Sequence, residues 1–255
     1  KLFWGYAMTG HNWIQKCNEW KTKWPVMQEE YRPSGNDFQL NIYAVLDAIN
    51  QHSSANDILM GDAGSISYAG PVALNAKQGQ RFIFSPAQAD MGWALPAAVG
   101  VSMASNQPVI SIIGDGSFMS NVQELAVVKQ HELDIKFVIL NNNGYLSIKN
   151  TQQKYFNGRV YGTSGETGLW FPSMKNIAVA FGMPCVDIRT KEDLRLHFPN
   201  ALKKKGPVII DCQCLNEQEI LPAQALKDGK QAGLHDMTPF LSEAELEQEM
   251  IVKID

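Results

Sequence analysis

Apolar and polar positions follow two rhythms along this chain. Short runs rich in Val, Ile and Phe, bounded by turn residues, read as buried strands. They are Ile58-Leu59-Met60, Arg81-Phe82-Ile83-Phe84, Val109-Ile110-Ser111-Ile112-Ile113, and residues 135–140, 184–188 and 207–214. Between them lie stretches with apolar residues three and four apart, the spacing of one helix face. These cover residues 38–51, 121–131, 145–154, 174–181 and 192–203, with a small-residue helix starting near Asp90. Strand and helix alternate, so the expected fold is α/β. The order predicts a three-layer α/β/α doubly wound parallel sheet with right-handed crossovers.

The flanks follow other patterns. Trp13, Ile14, Cys17, Trp20 and Trp24 fall at helical spacing among Lys and Glu and stop at Pro25, one amphipathic helix. Arg32-Pro33-Ser34-Gly35-Asn36 reads as a domain boundary. From Glu217 onward strand signals are missing; Asp228-Gly229 is a turn, and a short acidic helix starts at Glu243. The expected organisation is therefore 1–35, a linker helix; 36–215, the sheet domain; and 216–255, a carboxyl tail. His235 reads as a surface residue of that tail.

Composition narrows the function classes. A net charge of −4 with mixed signs points to no nucleic-acid surface and no polybasic membrane patch. No apolar run reaches the roughly 18–20 residues of a membrane-spanning helix. The chain opens on Lys1, as expected of a processed chain or a piece of a longer one. Of four cysteines, Cys212 and Cys214 share one strand face, which suits core packing better than a metal. A reducing, cytoplasmic home is expected.

Candidate chemistry concentrates in one strand–helix–strand unit. Gly114-Asp115-Gly116 closes one apolar run; 24 residues later Asn141-Asn142 closes the next, followed by Asn143-Gly144-Tyr145. Open α/β sheets bind ligands at such carboxyl strand ends. The Asp115 carboxylate and the Asn142 side-chain carbonyl are hard oxygen donors of the kind Mg²⁺ takes, with phosphate and water completing its shell. Gly116 and Gly144 let backbone come close. The N–H groups of Ser117 and Phe118, and those opening the helix at Tyr145 and Leu146, suit a phosphate. Ser65 and Ser67 end another strand; Ser65 is open to a phosphate or to a helix-capping role. Met91, taken alone, reads as core. A Rossmann fingerprint, a Walker loop and a G-x-S-x-G elbow are absent from the sequence.

The paired signal resembles the Mg²⁺ and diphosphate signature of thiamine diphosphate (ThDP) enzymes, in their acetolactate synthase-like branch, and the likeness covers residues 36–215. The resemblance implies that Asp115, Asn142 and the carbonyl of Gly144 hold Mg²⁺. It places Ser65, Gly116, Ser117, Phe118, Asn142, Gly144, Tyr145 and Leu146 at the cofactor. The relatives carry Gln-His where this chain has Ser65-Ile66. The run Met91-Gly92-Trp93-Ala94-Leu95-Pro96 is similar to the family's Met-Gly-Phe/Tyr-Gly/Ala-Leu-Pro. There the residue at Met91 wedges between the two cofactor rings, the Ala89 carbonyl accepts from the pyrimidine amino group, and the Met91 N–H donates to that ring.

The same resemblance implies an activity and a missing half. It points to a carboligase or decarboxylase acting on a 2-keto acid such as pyruvate. An activating glutamate belongs to a pyrimidine-binding domain, here supplied by upstream residues or another polypeptide, so a dimer or tetramer is expected. The helix of residues 1–35 is similar to one leaving the family's middle domain, and the tail to one folding over the active-site mouth. Residues 142–148, the loop around Glu166 and residues 236–241 look more like homologues tied to surface-sugar biosynthesis. Acyl transfer to a keto sugar is thus one alternative, and a non-catalytic ThDP-fold subunit another.

Overall fold

The computed structural model describes residues 10–28, 31 and 39–251, in two compact units that divide between Asn216 and Glu217. The boundary expected at residues 32–36, and Phe38, lie outside the described residues. In the first unit six strands form one sheet: β1 (Ile58–Gly61), β2 (Arg81–Phe84), β3 (Val109–Gly114), β4 (Ile135–Asn141), β5 (Cys185–Ile188) and β6 (Val208–Gln213). Every pairing is parallel and the order is β2-β1-β3-β4-β6-β5. The helices are α1 (Gly10–Lys23), α2 (Ile42–His52), α3 (Ser65–Ala73), α4 (Ala94–Ser105), α5 (Asp115–Ser120), α6 (Leu125–Gln130), α7 (Leu146–Tyr155), α8 (Met174–Ala180), α9 (Lys191–Leu196) and α10 (Phe198–Lys203). The α/β doubly wound sheet expected from the sequence is the fold found.

The strand pattern explains the layers. A parallel sheet covered on both faces needs strands apolar on both faces, which is why β3, β4 and β6 read as near-continuous apolar runs. Side chains still alternate. Ile58, Met60, Val109, Ile113, Ile135, Phe137 and Ile139 pack with Ala94, Leu95 and Ala98 of α4, Leu125 and Val128 of α6, and Met174, Ile177 and Ala178 of α8. The alternate set, Leu59, Ile110, Ile112, Val138 and Leu140, is equally buried. On that side α3 and α10 pack on β3 and β6, with α2 against both helices. Lys136 falls in the alternate set too. Its buried ammonium ion-pairs with Asp134 and donates to the Gly206 carbonyl at 2.9 Å, so its charge is compensated where it sits.

Several helices differ from their sequence expectation. The one expected over 121–131 is broken up. α5 starts at Asp115, directly on the end of β3, and the chain leaves helical geometry at Asn121 (φ −133°, ψ 28°) before α6. α4 starts at Ala94, not near Asp90, because Ala89 (φ 52°) and Gly92 (φ 85°) are left-handed. The stretch 192–203 is two helices, interrupted at His197 with Pro199 opening the second; Pro199 has no N–H to carry the first helix onward. α3, which contains Pro71, was not foreshadowed.

The second unit holds a two-stranded antiparallel hairpin, β7 (Leu226–Lys227) and β8 (Lys230–Gln231), around the expected Asp228-Gly229 turn. Both turn residues have positive φ, 51° and 75°, the geometry that matches hairpin twist. The acidic helix α11 (Glu243–Glu249) is capped by Ser242, which accepts from the Glu245 N–H. His235 is exposed. Among the described residues, no helix is long and apolar enough to cross a membrane.

Candidate functional site

The chain runs from β1 outward to β2, then returns to lay β3 on the other side of β1. That reversal leaves a crevice at the carboxyl ends of β1 and β3, where doubly wound sheets bind ligands. A cleft open to solvent lies there. Its walls come from the β1 end (Ala63 to Ile66), the β3 end (Gly114 to Ser117), the β4 end (Leu140, Asn142), the start of α7 (Gly144 to Ile148) and Met91.

Asp115 sits at the centre. It is the first residue of α5 and 1% exposed. Its Oδ2 accepts from the Gly144 N–H at 2.9 Å. Its Oδ1 is buried and has no partner within the protein, and the same holds for Asn142 Oδ1. Burial pushes the Asp115 carboxyl up to about 7, against hydrogen bonds from the Gly116 and Gly144 amides. Two buried oxygens without donors, on adjacent strand ends and lining one cleft, cost free energy as they stand. They suit a hard cation, which needs acceptors and would reverse the carboxylate's penalty. The residues present therefore fit Mg²⁺.

The backbone around the pair is crowded. A Cβ at Gly116 would lie 2.3 Å from Tyr145 Cε1, and one at Gly144 would lie 2.0 Å from the Thr163 carbonyl oxygen. Tyr145 donates its N–H to that same oxygen at 2.9 Å. Gly144 also bridges Ser164, so the turn after β4 is tied to the 157–170 loop.

Ser65, Met91, Asp115, Gly116, Ser117, Asn142, Gly144, Tyr145 and Leu146 all line the one cleft. Ala89 and Phe118 are not among its lining residues. Ala89 is exposed on the turn that carries Met91. Phe118 is buried in the core, edge-on to Phe137 with ring centroids 5.6 Å apart. Because α5 starts at Asp115, Phe118 is its fourth residue, past the N–H groups a helix start leaves unsatisfied. Ser65 opens α3, whose N-cap is Gly64 and has no side-chain capping bond. Met91 is 42% exposed on the cleft rim.

Sequence reasoning passed over the residues behind these. Asp211, buried in β6, accepts from Asn141 Nδ2 at 2.8 Å and Gln213 Nε2 at 2.9 Å. Asn141 Oδ1 in turn accepts from the Asn143 N–H at 3.2 Å. This fixes the turn that presents Asn142 and Gly144. Asp62, just past β1, is 3% exposed and accepts from the amides of Ala63, Gly92 and Ala94 at 2.6, 3.1 and 3.0 Å. Burial raises its carboxyl above the usual range, those amides opposing. The available signal was a charge inside or directly after an apolar strand, a place that demands partners.

A family model described as thiamine pyrophosphate enzyme, C-terminal TPP binding domain, matches residues 62–212, the span that holds the sheet and the cleft. The chain belongs to this family, whose cofactor is thiamine diphosphate with a divalent metal. Among curated proteins it is similar to acetolactate synthases. The large subunit of Porphyra purpurea is 27% identical over 215 residues, 84% of this chain and 35% of that protein. The acetolactate synthase of Arthrospira platensis is 33% identical over 147 residues, 57% of this chain and 25% of that protein. The chloroplastic enzyme of Arabidopsis thaliana is 32% identical over 153 residues, 58% of this chain and 23% of that protein. The chain thus spans about a third or less of the length of these relatives.

Proposed function

We propose that this chain is the diphosphate- and Mg²⁺-binding half of a ThDP-dependent carboligase or decarboxylase acting on a 2-keto acid such as pyruvate. The observation that carries it is the pair of buried, unpartnered oxygens, Asp115 Oδ1 and Asn142 Oδ1, at the sheet's switch point. A non-catalytic module would have no use for them. Residues 36–215 form the cofactor-binding domain in this reading, 1–35 the helix entering it and 216–255 its carboxyl tail. The similarity to acetolactate synthases supports the 2-keto acid as substrate class.

Bound ThDP supplies a thiazolium carbon able to add to a keto carbonyl and to accept the electron pair left by CO₂. The residues of this chain hold and shape it. Asp115, Asn142 and the Gly144 carbonyl ligate the metal that carries the diphosphate. Gly116 and Gly144 bring backbone within reach of that group, in packing where a Cβ would strike Tyr145 or the Thr163 carbonyl. Met91 presents an apolar, polarizable surface on the cleft rim that suits a gap between two rings. Holding reacting groups at fixed separation is worth several kcal/mol of barrier. The pyrimidine-binding partner, from another segment or subunit, completes the site, in a dimer or tetramer.

The test is the substitution Asp115→Ala in the assembled enzyme. Loss of activity on pyruvate, together with loss of Mg²⁺-dependent ThDP binding, is the expected outcome. Full activity and unchanged binding would rule the reading out.

A further inference from the structure

Met91 stands on a turn with two left-handed residues. Ala89 and Gly92 on either side of it have φ values of 52° and 85°, a region that costs an L residue such as Ala89 conformational energy. Gly92 has no room for a side chain, since a Cβ there would lie 2.7 Å from Ser120 Cβ and 2.9 Å from the Ser117 carbonyl oxygen. One bond closes the turn from within, the Trp93 N–H to the Asp90 carbonyl at 3.3 Å; its other ties come from outside. Asp62 Oδ1 accepts from the Gly92 N–H at 3.1 Å and Oδ2 from the Ala94 N–H at 3.0 Å, so one carboxylate spans the turn's exit. Asp62 is itself anchored, its own N–H donating to the Ile112 carbonyl at 3.1 Å. From the α5 side, Asn121 Nδ2 donates to the Gly92 carbonyl at 2.9 Å.

We propose that Asp62 is a positioning residue for Met91: its carboxylate, with Asn121 opposite, clamps Gly92 and so sets where Met91 stands against the cofactor. The inference rests on the reading of Met91 as the residue that shapes bound ThDP. Asp62 lies behind the turn, not among the residues lining the cleft, and reaches it through the amides of Gly92 and Ala94 and through the side chain of Ser117. Through its N–H and its carboxylate, Asp62 joins β3 to the start of α4 from the end of β1. The position of Met91 is thereby indexed to the sheet that carries Asp115, the other fixed point of the site.

The experiment is a double-mutant cycle on ThDP affinity in the assembled holoenzyme with Mg²⁺, read by calorimetric titration. Asp62→Asn keeps the size of the side chain but can no longer accept with both oxygens. It is expected to weaken ThDP about tenfold with Met91 present and less than about twofold in the Met91→Ala background, the signature of two residues acting as one unit. Amide hydrogen exchange at Gly92 or Ala94, measured without cofactor, is expected to quicken at least about tenfold, since one of the two acceptor oxygens is lost. Equal losses in both backgrounds would confine the effect of Asp62 to Ser117 and the start of α4, and overturn the inference while leaving Met91's role intact. Unchanged ThDP affinity in Met91→Ala alone would overturn that role and the inference with it. Should Asp62→Asn fail to fold, Asn121→Ala loosens the same turn from the other side without touching α4. The same non-additivity with Met91→Ala is then required.

Discussion

The amide of Gly144 donates to the carboxylate of Asp115 across the ends of two neighbouring strands, at 2.9 Å. This bond uses one carboxylate oxygen and leaves the other facing the cleft. It also fixes the distance between the β3 end and the β4 turn, which the register places side by side, Gly114 opposite Leu140.

Gly144→Ala is expected to break that arrangement. Its Cβ would lie 2.0 Å from the Thr163 carbonyl oxygen, which is backbone and cannot rotate aside. The cost should reach ~2 kcal/mol or more, seen as a lower urea midpoint with an unchanged slope. Mn²⁺ affinity, followed by electron paramagnetic resonance, should fall with it. An unshifted midpoint would show that the 157–170 loop yields more easily than its contacts with Gly144 suggest.

Asp115→Asn should have opposite effects with and without metal. Without a cation, the buried carboxylate has one unpartnered oxygen, and removing its charge relieves a penalty of about 1–3 kcal/mol. The metal-free variant should therefore melt higher than the parent. Added Mg²⁺ and ThDP should stabilise the parent and leave the variant unmoved. A variant that melts lower than the metal-free parent would mean that the Gly144 bond outweighs the buried charge.

The stability of the metal-free chain should fall between about pH 4 and pH 6. Burial pushes the Asp211 carboxyl up to about 6 from 3.8, with Asp187 adding to the rise and Asn141, Gln213 and Arg189 opposing it. Below both values the group is protonated folded and unfolded, and costs nothing. As pH rises through the unfolded value the unfolded chain releases its proton first, so folding loses stability until the folded value is passed. The loss is on the order of 2–3 kcal/mol. Asp211→Asn should lessen this slope in denaturation series at several pH values, the raised Asp115 and Asp62 carboxyls supplying the rest. An undiminished slope in that variant would assign the dependence to another group.

Much of this was legible in the sequence because each signal was redundant. The strands β3 and β4 announce themselves by apolar runs, and the polar groups closing each run follow from where strands end. The positions of Asp115, Asn142 and Gly144 in one cleft follow from that order alone. The start of α4 was not legible, because Asp62, some 30 residues earlier, captures the amides of Gly92 and Ala94 and holds the preceding turn out of the helix. No local propensity encodes a capture of that kind. The break at Asn121 is similar, since its side chain serves the Gly92 carbonyl. Phe118 was expected to offer its N–H at a helix start; the helix begins at Asp115, three residues earlier, so that amide falls past its open end.

The order of the sheet also sets when the cleft can exist. β4 is held on one flank by β3 and on the other by β6, which arrives some 70 residues later and brings Asp211 to Asn141. A chain growing from its amino end, or clipped anywhere between α8 and β6, would carry every residue that lines the cleft and still lack the strand that steadies the Asn142 turn. Parallel pairing over such separations is slow to form. Until β6 docks, the nascent domain carries Asn142 without the strand that steadies its turn.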